Sequence, residues 1–136
     1  MLIKITNKIK IEIGAKPLLI AEISANHGGN KKKFLKHILE AHKAGADMIK
    51  IQTYEADDIT IKKYSDKVKI KKGIWKNKSP WQIYKKAQTP YSWHNDAFKL
   101  AKKINAVLFS TPFSLKSVDF LEKFKVPIYK IASLEI

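Results

Sequence analysis

Three charged side chains stand inside stretches that otherwise read as buried β-strand. Glu22 interrupts Leu18-Leu-Ile-Ala-Glu-Ile-Ser24, Lys50 interrupts Met48-Ile-Lys-Ile-Gln-Thr53, and Lys130 interrupts Ile128-Tyr-Lys-Ile-Ala-Ser133. A charge in such a place is costly unless it is paired, neutralised or bound to something. Two readings stay open. One is a structural ion pair between a lysine and Glu22. The other is an anion site, in which two ammonium groups face one cavity and hold a phosphate or carboxylate. Gln52 lies two residues beyond Lys50 and shares its strand face. Ser110-Thr111-Pro112 and Ala132-Ser133 add hydroxyls at or near strand ends. Singly, each is ordinary strand-end chemistry; together they describe a polar ring. Asn26-His-Gly-Gly29 follows the first strand, at the carboxyl end where α/β folds bind ligands.

The elements that must position these residues alternate along the chain. Residues 1–14 repeat apolar and polar positions on both sides of Asn7-Lys8, which predicts a hairpin with one wet face. Leu18–Ser24 predicts a strand covered on both faces. Asn30 is a good N-cap, and Phe34, Ile38 and Ala41 form the apolar stripe of a helix that stops at Gly45. A second buried strand spans Met48–Thr53. Residues 54–78 break the rhythm and read as a long loop or insertion. Ser79-Pro-Trp-Gln82 is a capping box with proline at the first helical position, and opens a helix to Ala87. Thr89-Pro90 opens another, with Trp93, Ala97, Leu100, Ala101 and Ile104 inward. A third strand, Ala106–Thr111, is stopped by Pro112. Ser114 caps the next helix, and Ile128–Ser133 is a fourth strand. A hairpin followed by four βα-type units means parallel strands with right-handed crossovers. Four units are half of an eight-stranded barrel, and a small open sheet also closes at this length.

Composition narrows the function classes. The 136 residues carry a net charge of +15, and all 27 cationic residues are lysine. The lysines are spread along the chain and read as a solvated surface. With no arginine to read guanine or fork onto phosphate, the balance argues against a nucleic-acid partner, while favouring anionic small substrates. The absence of cysteine excludes disulfides, thiolate zinc sites and a cysteine nucleophile, and suits a cytoplasmic location. The alternating N-terminus is not a targeting peptide, and no apolar run reaches the ~18 residues of a membrane span. No Walker loop, dinucleotide fingerprint or nucleophile elbow is present. Of the histidines, His27 alone stands at a strand end; His37, His42 and His94 read as helix-surface or packing residues. Trp75, Trp81, Tyr84, Tyr91 and Trp93 are expected to cluster as core, lid or sugar-stacking surface.

Four motifs in this order resemble the N-terminal half of the sialic acid synthase family. They are Ile20-Ala-Glu-Ile-Ser-Ala-Asn-His-Gly-Gly29, Ala44-Gly-Ala-Asp-Met-Ile-Lys-Ile-Gln-Thr53, Phe109-Ser-Thr-Pro-Phe113 and Val126-Pro-Ile-Tyr-Lys-Ile-Ala-Ser-Leu-Glu135. Lys72–Tyr84 and Thr89–His94 are most similar to the pseudaminic acid synthase branch. The resemblance implies the first half of a TIM-type (β/α)8 barrel. It implies condensation of phosphoenolpyruvate with an open-chain N-acetylated amino sugar, 2,4-diacetamido-2,4,6-trideoxy-altrose in that branch, with loss of phosphate. N-acetylneuraminate or legionaminate precursors are the alternative sugars. Carried over by motif, Lys50, Thr111, Lys130 and Ser133 would hold phosphoenolpyruvate. Gln52 and Glu135 would face the sugar, and Glu22 would act at the reacting centre. The resemblance further implies a divalent metal, Mn or Mg, whose ligands lie in the remaining half of the barrel, followed by a C-terminal antifreeze-like domain. The 136-residue chain is therefore expected to be a truncated or split synthase, inactive alone, that forms a homodimer or associates with the missing half. A non-catalytic half barrel that binds a full-length synthase is the competing expectation.

Overall fold

The computed structural model describes residues 2–133. Two strands, β1 (Leu2–Lys4) and β2 (Lys10–Glu12), pair antiparallel with Ile3 opposite Ile11. Their turn is closed by Thr6 Oγ1, which accepts the backbone N–H groups of Lys8 and Ile9 at 3.1 and 3.0 Å. Ile9 is buried against Met48 and Phe109, with Ile5, Leu18, Val107 and Ile128 around them. The hairpin is thereby seated at the amino-terminal end of the main sheet.

That sheet holds β3 (Ile20–Glu22), β4 (Met48–Thr53) and β5 (Leu108–Pro112) in the order 3-4-5, all parallel. Helix α1 (Lys31–Lys43) carries the chain from β3 to β4. Asn30 caps it through Oδ1, which accepts the Lys33 N–H at 3.0 Å. Gly45 then turns the chain at φ +86°, a left-handed conformation that costs glycine little. Short helices α2 (Ala56–Ile59) and α3 (Lys62–Ser65), then α4 (Pro80–Ala87) and α5 (Tyr91–Lys103), lead to β5. Helix α6 (Leu115–Glu122) follows, capped by Ser114. The capping box at α4 is complete: Ser79 Oγ accepts from Gln82 N–H, and Gln82 Oε1 accepts from Ser79 N–H.

Strand alternation divides the side chains into two sets. Ile23, Ile49, Ile51 and Leu108 pack with Phe34, Ile38, Ala97 and Ala101 of α1 and α5, forming the main core. Met48, Lys50, Gln52, Phe109 and Thr111 belong to the opposite face. Among the described residues, no helix is long and apolar enough to cross a membrane.

Three expectations change. The first buried strand is shorter than Leu18–Ser24 and is not covered on both faces: Leu19 and Ile20 are 62% and 43% exposed. It pairs only with β4, so it is an edge of the described sheet. The expected fourth strand, Ile128–Ser133, contributes one parallel bridge, Tyr129 to Ser110, and one bond from Lys130 N–H to Ser110 O at 3.2 Å. Pro127 removes a donor at its start, and its far side has no ladder partner among the described residues. Finally, residues 54–78 are not simply a loop. They contain α2 and α3, and Ser65 and Asp66 are tied to α4 through Trp81 N–H and Ser79 Oγ at 2.7 and 3.2 Å.

Candidate active site at the carboxyl ends of the parallel strands

Register brings the expected residues together. Glu22 is opposite Lys50, and Gln52 is opposite Thr111. Paired residues in a parallel ladder project from the same side, so the four share the face turned away from α1 and α5. Glu22 Oε2 lies 2.8 Å from Lys50 Nζ. The pair is asymmetric: the lysine side chain is 11% exposed and the carboxylate 45%. Glu22 thus keeps contact with solvent, while the ammonium group is held inside the sheet face. An ammonium group has three donors, and one carboxylate contact leaves capacity for an anion.

Ser24 donates to Gln52 Oε1 at 3.3 Å. It does so from a left-handed backbone, φ +50°, unusual for a residue with a side chain. The turn after β3 therefore directs a hydroxyl onto the residue beyond Lys50. Thr111 is 1% exposed, and its Oγ1 has no hydrogen-bond partner among the described residues. An unpaired buried hydroxyl costs about 1–3 kcal/mol. The Tyr129 to Ser110 bridge puts Lys130 at the register position on the Thr111 side of the sheet. Ser133 is exposed. Glu135, expected at the sugar, lies outside the described residues.

Behind this face runs a polar network that the sequence reading did not assemble. Thr53 Oγ1 lies 2.8 Å from His94 Nε2 and 2.7 Å from Ser110 Oγ. His94 Nδ1 faces Pro90 O at 3.2 Å, and a carbonyl only accepts, so the ring proton sits on Nδ1. Burial pushes the His94 pKa down to about 4. Ser110 Oγ also lies 3.2 Å from Ile51 O. The network pins α5 to β4 and β5 directly behind Gln52 and Thr111.

His27 does not face the candidate site. It is fully buried, packed edge-on against Phe34 and Trp93. Gly29 N–H donates to Nδ1 at 3.0 Å, so Nε2 carries the proton and donates to Thr89 Oγ1 at 3.2 Å. Burial, chiefly, lowers its pKa. It is an anchor for the turn after β3. The expected aromatic cluster is also divided. Trp93 packs with His27 and Phe34, Tyr84 with Tyr54, and Tyr91 with His94 and Phe120. Trp81 lies under Lys62 instead. Among the described residues, no group of three His, Asp or Glu side chains converges as a metal site.

A family model described as the NeuB family matches residues 37–136. This chain belongs to the NeuB family. Within the NeuB family it is 44% identical, over 120 residues, to a pseudaminic acid synthase of Campylobacter jejuni subsp. jejuni serotype O:2; the match covers 88% of this chain and 35% of that protein. An N,N'-diacetyllegionaminic acid synthase of the same organism is 35% identical over 121 residues, covering 89% of this chain and 36% of the relative. The chain therefore spans about a third of the length of these curated relatives. The crystal structure of the N-acetylneuraminic acid synthetase of Leptospira borgpetersenii serovar Hardjo-bovis, in complex with citrate, superposes with a TM-score of 0.80 at 27% identity. That likeness covers 99% of this chain and 42% of the other.

Proposed function

We propose that this NeuB-family chain supplies the first half of a (β/α)8 barrel that makes a nonulosonic acid. The reaction joins phosphoenolpyruvate to an open-chain, di-N-acetylated amino sugar of the pseudaminate type. The observation that carries the reading is the shared face of Glu22, Lys50, Gln52 and Thr111, with a buried hydroxyl that lacks a partner among the described residues. One ligand accounts for the buried cation and the unpaired donor together.

In this reading Lys50 and Thr111 hold the phosphate and carboxylate of phosphoenolpyruvate, with Lys130 and Ser133 joining from the last segment. Gln52, oriented by Ser24, positions the sugar, and Glu135 joins it. The enol carbon attacks the aldehyde carbon, forming the new C–C bond, and the aldehyde oxygen takes a proton to become a hydroxyl. Water adds to the resulting cationic carbon at C2, and phosphate leaves with cleavage of its C–O bond. Glu22, half in water beside Lys50, handles a proton at the reacting centre. A divalent metal, Mn or Mg, would polarise the aldehyde when bound, its ligands coming from outside the described residues. The location proposed is cytoplasmic, where phosphoenolpyruvate is available.

The test is phosphate release from phosphoenolpyruvate by this chain combined with the remaining two thirds of the Campylobacter pseudaminic acid synthase. Turnover with 2,4-diacetamido-2,4,6-trideoxy-altrose, abolished by Lys50→Met, is the expected result. A folded complex that releases no phosphate with any N-acetylated amino sugar overturns it. The exposed Leu19 and Ile20 on the β3 edge favour a second reading, a half barrel that docks on an intact synthase. Capture of such a synthase with unchanged turnover would favour that reading.

A further inference from the structure

The geometry points to a specificity pocket beside the candidate site, built to take the acetamido group that lies farther from the sugar's aldehyde. A cavity of about 380 Å³ lies between the turn after β3 and helix α4. Trp75, Ile83 and Ala87 make its apolar wall, and Ser24, Asn26 and the charged Lys86 supply its polar side. Ser24 lines this cavity and also bonds Gln52, so the cleft adjoins the residue that faces the sugar in the synthase reading. The inference rests on the synthase reading, because that reading brings a di-N-acetylated sugar to Gln52.

The wall is preformed. Trp75 is 43% exposed, yet its loop is closed by hydrogen bonds from Ile70 N–H to Lys78 O and from Asn77 N–H to Ile70 O, at 3.0 and 2.9 Å. Gly73 makes the turn at φ +80°, and Lys76 N–H bonds Gly73 O at 3.1 Å. A large indole held in this way, half bare over a cleft, is a ready contact surface at small ordering cost. On the polar side, Asn26 Nδ2 already donates to Ile23 O at 3.0 Å. Its Oδ1 is the end left to accept, and an amide N–H is the donor that fits. An acetamido group has this shape: a methyl for Trp75 and Ile83, and an N–H for Asn26. The cavity is larger than that group alone and holds the adjoining sugar carbons as well.

The experiment compares two sugars and one anion on the same chain. Dissociation constants are measured by NMR titration for 2,4-diacetamido-2,4,6-trideoxy-altrose, for 2-acetamido-2-deoxymannose, and for inorganic phosphate. The diacetamido sugar is expected to bind about tenfold more tightly than the monoacetamido sugar. That preference should collapse toward unity in Trp75→Ala and, by filling the cleft from α4, in Ala87→Leu. Phosphate affinity should be unchanged in both. A preference that survives both variants overturns the pocket, as does equal or absent binding of the two sugars. Phosphate binding that ignores Lys50→Met, alongside a preference that depends on Trp75, would sink the synthase chemistry and leave the pocket standing.

Discussion

Thr53 Oγ1, on the helix side of β4, sits 2.8 Å from His94 Nε2 on α5, and both groups are completely buried. With Nδ1–H committed to Pro90 O, the imidazole accepts from Thr53 only while it is neutral. The link carries a consequence for stability. In the folded chain burial holds the His94 pKa at about 4, whereas an unfolded histidine titrates near 6.5. The folded pKa is depressed, so the stabilisation is complete above pH 6.5 and is lost as pH falls toward 4. Between pH 6.5 and 5 the loss is about 2 kcal/mol from His94 alone. His27, lowered by the same cause, adds in the same direction. Urea unfolding of wild type and His94→Gln at pH 7.5 and 5.0 checks this. The variant should lose clearly less stability over the interval, and identical slopes would remove His94 as the source.

Lys50 offers a separation of stability from binding. A buried ammonium is expensive, and its partner Glu22 is 45% exposed, so Glu22 rehydrates when the lysine is removed. Lys50→Met should therefore change unfolding free energy by no more than about 1 kcal/mol in either direction. The same change should weaken phosphate and phosphoenolpyruvate binding by at least about tenfold, because a charged hydrogen bond contributes more than a neutral one. Calorimetric titration beside urea unfolding reads both. A variant that unfolds readily would recast Lys50 as structural.

What could be read from the chain alone was what is decided locally. Asn30 and Ser79 announce α1 and α4 because a cap is settled within three residues. Met48–Thr53 was legible to the residue because both its faces are covered by this chain's own elements. Ile128–Ser133 reads equally well as a strand and has only a single bridge, since a strand exists through its neighbours and not through its composition. Leu19 and Ile20 were expected to be covered for the same reason. The polar face was legible because alternation puts Lys50 and Gln52 on one side of a strand. The network behind it was not: Thr53 meets His94 across 41 residues and Ser110 across 57, and no spacing rule connects them. His27 misled because a histidine beside two glycines after a strand suggests a site, while its ring in fact turns inward to Thr89.

Ser79 joins two structures with one hydroxyl. It accepts from Gln82 N–H inside α4 and donates to Asp66 Oδ1 in the preceding segment. Ser79→Ala removes a cap and a tertiary bond together, at about 1–2 kcal/mol. The loss should concentrate locally. Hydrogen exchange at residues 66–82 is expected to accelerate while β4 and β5 keep their protection. A uniform loss of protection across the chain would show that this segment unfolds only with the whole.

Thr111 provides the sharpest separation. Its hydroxyl is buried and has no partner among the described residues, so the free chain bears a desolvation cost with no bond to offset it. Valine has the same shape without the hydroxyl. Thr111→Val should leave the chain as stable as wild type or more stable by up to about 1 kcal/mol, reversing the usual sign for a buried polar-to-apolar change that breaks a bond. If the hydroxyl is kept for a ligand, the variant should bind phosphoenolpyruvate about tenfold more weakly. Unfolding and titration on one preparation decide it. A loss of 1 kcal/mol or more, estimated against the usual worth of a hydrogen bond, with unaltered binding would assign the hydroxyl a structural partner and withdraw it from the site. Greater stability with weaker binding would identify Thr111 as a residue held at a cost to the fold for the sake of a ligand.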